Sequence, residues 1–172
     1  MAFEKNRVSS VGGSMIFKQR YNVIKVDTDP EDEEVITLFV ENGFGSESSQ
    51  EIKDGDILWL LNTDGAVIEK CQVTGTPDYA GKKLKCQSDT EDEIASFILI
   101  GSQEEVVIGI NAGDSAILGG LYSRGLTITS QKNIEANEPN LFLGDLSSLD
   151  RTDVSGYGLY SSNVFLKGSL TT

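Results

Sequence analysis

Histidine is absent from the 172 residues of this chain, and its absence excludes several classes of enzyme. Ser-His-Asp and Cys-His catalysis, histidine-ligated zinc and histidine acid–base chemistry all need an imidazole. Carboxylate chemistry remains, such as glycoside hydrolysis by two carboxyl groups that flank one sugar bond. Because the chain has 27 Asp and Glu residues, such a pair can arise by chance, and no pair stands out in the sequence. We therefore predict that the protein is not an enzyme.

Cysteine is also scarce, since the chain contains only Cys71 and Cys86, too few for a structural zinc site. The two residues lie in segments predicted to be neighbouring strands, so their side chains can face each other. A chain made in a reducing cytoplasm keeps such residues as small buried hydrophobes, and a disulfide is the alternative. A nucleophilic role would require a nearby base to form the thiolate.

Basic residues are few, and long apolar runs are missing. The chain has 14 Lys and Arg residues and a net charge of −13, which works against nucleic-acid binding because that affinity comes from cations that displace counterions. The same charge disfavours anionic membrane surfaces. No apolar run approaches the roughly 18 residues that span a bilayer, and the N-terminus leads into no signal-peptide core. We expect the chain to fold in a cytoplasm, without nucleic-acid or membrane partners.

Glycine, in contrast, is abundant, with 18 residues against 3 prolines, and no stretch has helical periodicity. Short alternating runs recur at a spacing of about ten residues with turn signals between them, a pattern typical of small antiparallel barrels and sandwiches. One strong hairpin signal is Asn62-Thr63-Asp64-Gly65, because Asp-Gly suits a turn with positive φ angles. The sequence therefore predicts an all-β protein with a small antiparallel barrel or sandwich module.

Three regions follow from these patterns. Residues 1–50 form an N-terminal hairpin region, in which the Tyr21 segment pairs with the Val35 segment across an acidic tip. Residues 51–110 form the β-module, and residues 111–172 contain short, glycine-rich strands. Strands of three or four residues bury little by themselves. They either complete a shaft with equivalent strands of other chains, which closes exposed edges, or form a meander packed on the module.

The acidic tip between these first two strands contains Asp27, Asp29 and Asp32. Carboxylates at this spacing could ligate calcium, because hard cations prefer oxygen ligands, but the segment lacks the glycine and the terminal glutamate of an EF-hand loop. The pattern favours a solvated hairpin tip over a metal site. We predict no cofactor, with calcium at this tip as the alternative.

Five aromatic residues are candidates for stacking on the apolar faces of sugar rings. Trp59 lies in the apolar run Ile57–Leu61, which favours a position in the core instead. Tyr157 and Tyr160 are expected to face a hairpin neighbour or a sister subunit. The candidate binding residues are Trp59, Tyr79, Tyr122, Tyr157 and Tyr160.

The C-terminal segment from Ser155 to Leu170 reads S-G-Y-G-L-Y-S-S-N-V-F-L-K-G-S-L. It resembles the G-Y-G-L-Y-x-x-N-V-[FY]-L-K-G segment of tail fibre and minor tail proteins of phages and prophages. The D-G-D-I-L-W stretch that begins at Asp54 is similar to part of a module found upstream of that segment in phage tail proteins.

This resemblance implies a non-enzymatic structural or adaptor component of a phage or prophage tail, which links the tail machinery to a distal host-recognition element. Such a protein would be made in the bacterial cytoplasm and reside in the virion. Its partners would be other tail proteins and copies of itself, with a trimer favoured. The alternatives are a module that binds cell-surface glycan and a carboxylate-dependent polysaccharide depolymerase.

Overall fold

The computed structural model describes residues 9–11, 14–41, 44, 52–104, 106–111, 125–130, 140–149, 152–164 and 167. These residues form two antiparallel sheets, which confirms the predicted all-β class. The helical structure of these residues is one 3-10 turn at Leu146–Ser148, and no helix among them is long and apolar enough to cross a bilayer. The strands are β1 Ser9–Val11, β2 Ser14–Ile16, β3 Arg20–Thr28, β4 Val35–Val40, β5 Ile57–Leu61, β6 Val67–Asp78, β7 Lys83–Gln87, β8 Ser96–Gly101, β9 Val106–Asn111, β10 Gly125–Ser130, β11 Leu141–Asp145 and β12 Tyr157–Ser161.

Six of these strands close into a barrel in the order β3-β4-β7-β6-β5-β8. Two of them bend and serve two halves of the barrel, since β3 pairs first with β8 and then with β4, and β6 pairs first with β5 and then with β7. The ladder is interrupted at Ile24 in β3 and between Thr74 and Asp78 in β6. Pro77 lies inside the second interruption and has no N–H to donate. Strands that change sheets through such bulges form the corners of a small barrel.

The hairpins expected from the sequence are present. The Tyr21 and Val35 segments pair as β3 and β4. The turn between β5 and β6 has Gly65 at φ +78°, a conformation that favours glycine. Within this turn the side-chain oxygen of Asn62 accepts hydrogen bonds from the N–H groups of Asp64 and Ala66, each at 3.0 Å. The predicted Asn62–Gly65 turn is therefore confirmed.

Strands β5 and β8 are buried along their whole length, which explains their unbroken apolar sequences. Leu58, Leu60 and Phe97 point into the barrel, and Trp59 and Ile98 point outward against the second sheet. The described residues thus form two cores, one inside the barrel and one between the barrel and the second sheet. The second core contains Ile16, Ile57, Trp59, Leu61, Ile98, Ile100, Val107, Phe142 and Leu149.

The second sheet has the order β1-β2-β9-β10-β11-β12. Most of its strand β9 falls within residues 51–110, the predicted module, but β9 pairs with β2 and β10. The barrel instead recruits β3 and β4 from the N-terminal region, so strand pairing runs across positions 50 and 110 of the predicted division. Of the two arrangements expected for the short C-terminal strands, the described strands β9 to β12 form the meander.

Three glycines oppose one another across the meander rather than forming turns. Gly125 pairs with Gly144, and Gly144 pairs with Gly158. A Cβ on Gly125 would lie 2.7 Å from the ring of Phe142, and one on Gly158 would lie 3.0 Å from Cδ1 of Leu146. These glycines therefore leave room for the side chains that fill the space between sheet and barrel.

Candidate functional site

The acidic tip between β3 and β4 is held by local contacts. The carboxylate of Asp29 accepts a hydrogen bond from Nζ of Lys85 at 2.6 Å and another from the N–H of Glu31 at 3.0 Å. The hydrogen bond from Lys85 is the main reason why the pKa of Asp29 lies below its ordinary value. Nζ of Lys25 lies 2.6 Å from the carboxylate of Asp27. Two of the three candidate metal ligands are thus engaged by ammonium groups.

The third candidate, Asp32, caps its own turn by accepting a hydrogen bond from the N–H of Glu34 at 3.0 Å. Across the described parts of the chain, no three Asp, Glu or Cys side chains come together in a group that could hold a metal ion. The structure therefore does not assemble Asp27, Asp29 and Asp32 into a calcium site. The three residues lie in the β3–β4 hairpin and at its exposed tip, the arrangement that the sequence favoured.

The four candidate aromatic residues that the structure describes do not form one binding surface. Trp59 is fully buried between the two sheets, so its ring cannot stack on a sugar, and the alternative prediction of a core position is confirmed. Tyr79 is half-buried at one end of the barrel, where its hydroxyl accepts a hydrogen bond from the N–H of Ile52 at 3.0 Å. Tyr122 lies outside the described residues.

Tyr157 and Tyr160 lie on the same strand but on opposite faces, because they are three residues apart. Tyr160 packs against the core between the sheets, whereas Tyr157 is 75% exposed. Of the described candidates, Tyr157 is thus the one whose ring is mostly open to a ligand. One exposed ring does not make a groove, although it can take part in a larger contact surface.

The two cysteines are free and buried inside the barrel, as the sequence favoured. Cys86 opposes Val73 on the neighbouring strand, which places it close to Cys71. The pKa of Cys71 is raised above the ordinary thiol value, first by a hydrogen bond with Cys86 and then by burial. Because the thiolate is the reactive form, this environment suppresses nucleophilic chemistry at Cys71.

A shallow cleft of about 270 Å³ lies on the barrel surface, beside the bulge in β3. Of its described lining residues, Glu41 is the one carboxylate, and it accepts a hydrogen bond from the side chain of Asn22 at 2.8 Å. A glycoside hydrolase needs two carboxyl groups on one sugar bond. The lining residues are Ile24, Phe39, Val40, Glu41, Gly81 and Lys82.

A more extensive feature is a row of apolar side chains across five strands of the second sheet. Directly opposed residues of antiparallel strands project from the same face, so an in-register row forms a continuous surface. This row faces away from the barrel, because the residues next to it in each strand, such as Ile16 and Phe142, are buried against the barrel. The row runs Met15, Ile110, Leu126, Leu143 and Leu159.

A second row lies beside the first on the same face. It begins at Phe17, whose N–H donates to the carbonyl oxygen of Ile108 at 2.9 Å and so continues the pairing of β2 with β9. Tyr157, two positions before Leu159 on β12, extends the same face beyond the first row, where it lies directly opposite Asp145 of β11. We call the two rows together with Tyr157 the apolar face. The second row runs Phe17, Ile108, Ile128, Leu141 and Ser161.

Several side chains of the apolar face are exposed to solvent. Its most exposed members range from Ile110 at 39% to Leu159 at 58% and Tyr157 at 75%. Five strands with about five residues each span about 24 Å by 17 Å, or about 400 Å² in projection. The largest apolar patches on monomeric proteins are about 300 to 600 Å², and many of them are functional. The face is therefore large enough to be an interaction surface.

Charged residues are missing from both rows of the apolar face. The solvent-facing side of the barrel is different. There, Lys25 and Lys83 flank Phe39 in register, with their Nζ atoms 4.9 and 5.9 Å from the centre of its ring. On a sheet face that is exposed to water, polar residues normally lie among the apolar ones in this way. The two rows of the apolar face lack that alternation of polar and apolar residues.

The sequence contains one indication of the apolar face, but the alternation of apolar and polar residues that predicted the strands did not reveal it. In β11 the residues Leu141, Phe142 and Leu143 are all apolar, so both faces of the strand are apolar. β5 and β8 have the same property, and both of their faces are covered within the chain. The sequence alone therefore does not distinguish a strand with two buried faces, such as β5, from a strand with one exposed face, such as β11.

Comparison of the chain with family models, with curated proteins and with solved structures finds no match.

Proposed function

We propose that this protein is a non-enzymatic structural or adaptor component of a phage or prophage tail, which joins the tail machinery to a distal host-recognition element. The observation that carries the proposal is the apolar face, a surface of assembly size whose two rows contain no charged residue, on the side of the second sheet away from the barrel. A protein with this surface acts through its contacts. Its partners are other tail proteins and copies of itself, with a trimer favoured.

The C-terminal segment that resembles tail proteins supports the proposal, because the residues of its G-Y-G-L-Y part form strand β12 of the second sheet or directly precede it. Within Gly156–Tyr160, Gly156 adopts φ +76° before β12, and Gly158 fits against Leu146. Leu159 contributes to the apolar face, while Tyr160 packs inward on the core. The G-Y-G-L-Y pattern therefore suits a strand that joins a core to an assembly surface.

Residues capable of chemistry also fit a structural role better than a catalytic one. The thiols of Cys71 and Cys86 are buried in the barrel, and the carboxylates of Asp27 and Asp29 are paired with lysines. These groups stabilise the fold or its surface. They are not directed into a common cleft.

Immunogold electron microscopy tests the proposed role. An antibody raised against the purified chain is applied to particles released by the bacterium that encodes it. We expect labelling on the tails of the particles, and pre-incubation of the antibody with the purified chain should remove it. The tail assignment would be overturned if fully assembled particles carried no label and if mass spectrometry detected no peptide of this chain in them.

A second candidate function is binding of cell-surface glycan, which the exposure of Tyr157 favours. Binding of the labelled protein to host cells measures this function. Tyr157→Ala should abolish the binding, while Tyr79→Phe, which keeps the half-buried ring and removes its hydroxyl, should leave it unchanged. Equal binding by the wild type and Tyr157→Ala would eliminate this ring as a sugar platform.

A further inference from the structure

We propose that the apolar face is a self-association surface, covered by the same face of other copies of this chain. The inference deepens the proposed structural function and rests on it, because it names the partner and the residues through which the protein assembles. Its core is the in-register row from Met15 to Leu159, with the row from Phe17 to Ser161 beside it.

The shape of the face favours a copy of itself. Neighbouring rows on one face of a sheet are separated by two residues, or about 7 Å, so a furrow runs between them. A facing sheet can insert a row of its own into this furrow, as the inner faces of stacked sheets do at a spacing of about 10 Å. Two copies of the apolar face offer each other the same rows and the same furrow.

The charge distribution points to the same partner. The chain carries a net charge of −13, so two copies repel each other wherever their charged surfaces approach. Neither row of the apolar face contains a charged residue, and this repulsion is weakest there. A partner selected by charge would need complementary groups on this face, and the rows provide none. A copy of the chain needs only apolar contact.

The size of the face sets the expected strength of association. A standard interface buries about 800 Å² per partner, whereas crystal contacts mostly bury less than about 400 Å². The projected area of the apolar face is about 400 Å² before the relief of its side chains is included. We therefore expect assembly that depends on concentration and closes with two-fold or three-fold symmetry, since either arrangement buries the rows.

Light scattering coupled to size exclusion tests the inference with the full chain over a range of concentrations. The monomer mass is 18.6 kDa, and the wild type should reach two or three times this value. Leu143→Lys and Leu159→Lys should each weaken association at least tenfold, since both place a charge in the row. Ile24→Lys is the matched control, because Ile24 is 69% exposed on the barrel, away from the face, and should not change the mass.

Both face residues are more than half exposed, so the lysine variants should keep the circular dichroism spectrum of the wild type. A wild type that stays monomeric at every concentration overturns the inference, and so does an oligomer that both lysine variants leave intact. A face that becomes protected from hydrogen exchange only when other tail proteins or glycans are added also overturns it.

The outcome is separable from that of the proposed tail role. If the protein forms a homo-oligomer that Leu143→Lys disrupts but is absent from virions, the self-association surface is supported and the tail function is refuted. If the protein is a monomer but is found in virions, the tail function is supported and the self-association surface is refuted.

Discussion

Leu143 and Leu159 lie directly opposite each other on β11 and β12, and both side chains are more than half exposed. The adjacent pair in the same ladder, Phe142 and Tyr160, points the other way and packs on the barrel. Both faces of this hairpin are therefore apolar, but the described residues of the chain cover only one of them. The assembly role proposed above rests on this difference.

The first prediction concerns Gly125, which opposes Gly144 in the second sheet. A Cβ at this position would lie 2.6 Å from the carbonyl oxygen of Leu143 and 2.7 Å from the ring of Phe142. Because backbone and a buried ring must both move, Gly125→Ala should lower the free energy of unfolding by about 1 to 3 kcal/mol. Urea denaturation measures the loss. Gly158→Ala, which meets only the flexible side chain of Leu146, should cost less, and a larger loss for Gly158→Ala would contradict this packing.

The second prediction concerns Trp59, the largest of the fully buried side chains. Trp59→Ala should lower the free energy of unfolding by about 3 to 5 kcal/mol, because it opens a cavity between barrel and second sheet. Tyr157→Ala should change it by less than about 0.5 kcal/mol at concentrations where the protein is monomeric. Denaturation followed by circular dichroism compares the two. Similar losses for both variants would show that Trp59 is not the core residue described above.

The third prediction concerns pH and the contact between Asp29 and Lys85. The hydrogen bond from Lys85 lowers the pKa of Asp29, so the folded carboxyl group binds its proton less readily than the unfolded one. The stabilisation is therefore present above the ordinary Asp pKa of about 3.9 and is lost as the pH falls through the lower folded value. Lys85→Met should raise the pKa of Asp29, as followed by carboxyl NMR, whereas Lys83→Met should not. An unchanged Asp29 pKa in Lys85→Met would refute the assignment of its cause.

The fourth prediction concerns the reactivity of Cys71 and Cys86. Both thiols are buried, and the pKa of Cys71 is raised by its hydrogen bond with Cys86 and by burial. Ellman's reagent should therefore modify neither thiol in the folded protein at mildly alkaline pH, and both after denaturation. The absorbance of the released dye gives the count. Rapid modification of a thiol under native conditions would mean that the barrel opens readily or that the thiols are exposed.

Much of the fold was predictable where the signal is local. The turn at Asn62–Gly65 depends on a short polar side chain and a glycine with positive φ, and both requirements are visible in four consecutive residues. The pairing of the Tyr21 and Val35 segments needs only a short connection, so it was also predictable. The assignment of β9 to the second sheet was not predictable, because its partner β2 is distant in the sequence and its partner β10 follows a long connection.

The candidate site divides in the same way. The exposed carboxylates of the acidic tip were visible in the sequence, but their pairing with Lys25 and Lys85 depends on how β3, β4 and β7 align. Trp59 was recognisable as a core residue from its apolar neighbours. The apolar face was not recognisable, because its rows take one residue from each of five strands.

The sequence by itself determined the all-β class, the local turns and the side chains that share a face of each strand, since alternation and turn chemistry act over a few residues. Only the tertiary structure decided which faces are covered. Periodicity specifies the two sides of a strand but not the layer that packs on either side, so β5 is enclosed on both sides and β11 on one. That choice arises from strand register and sheet packing between distant segments, and it left the row from Met15 to Leu159 open to a partner.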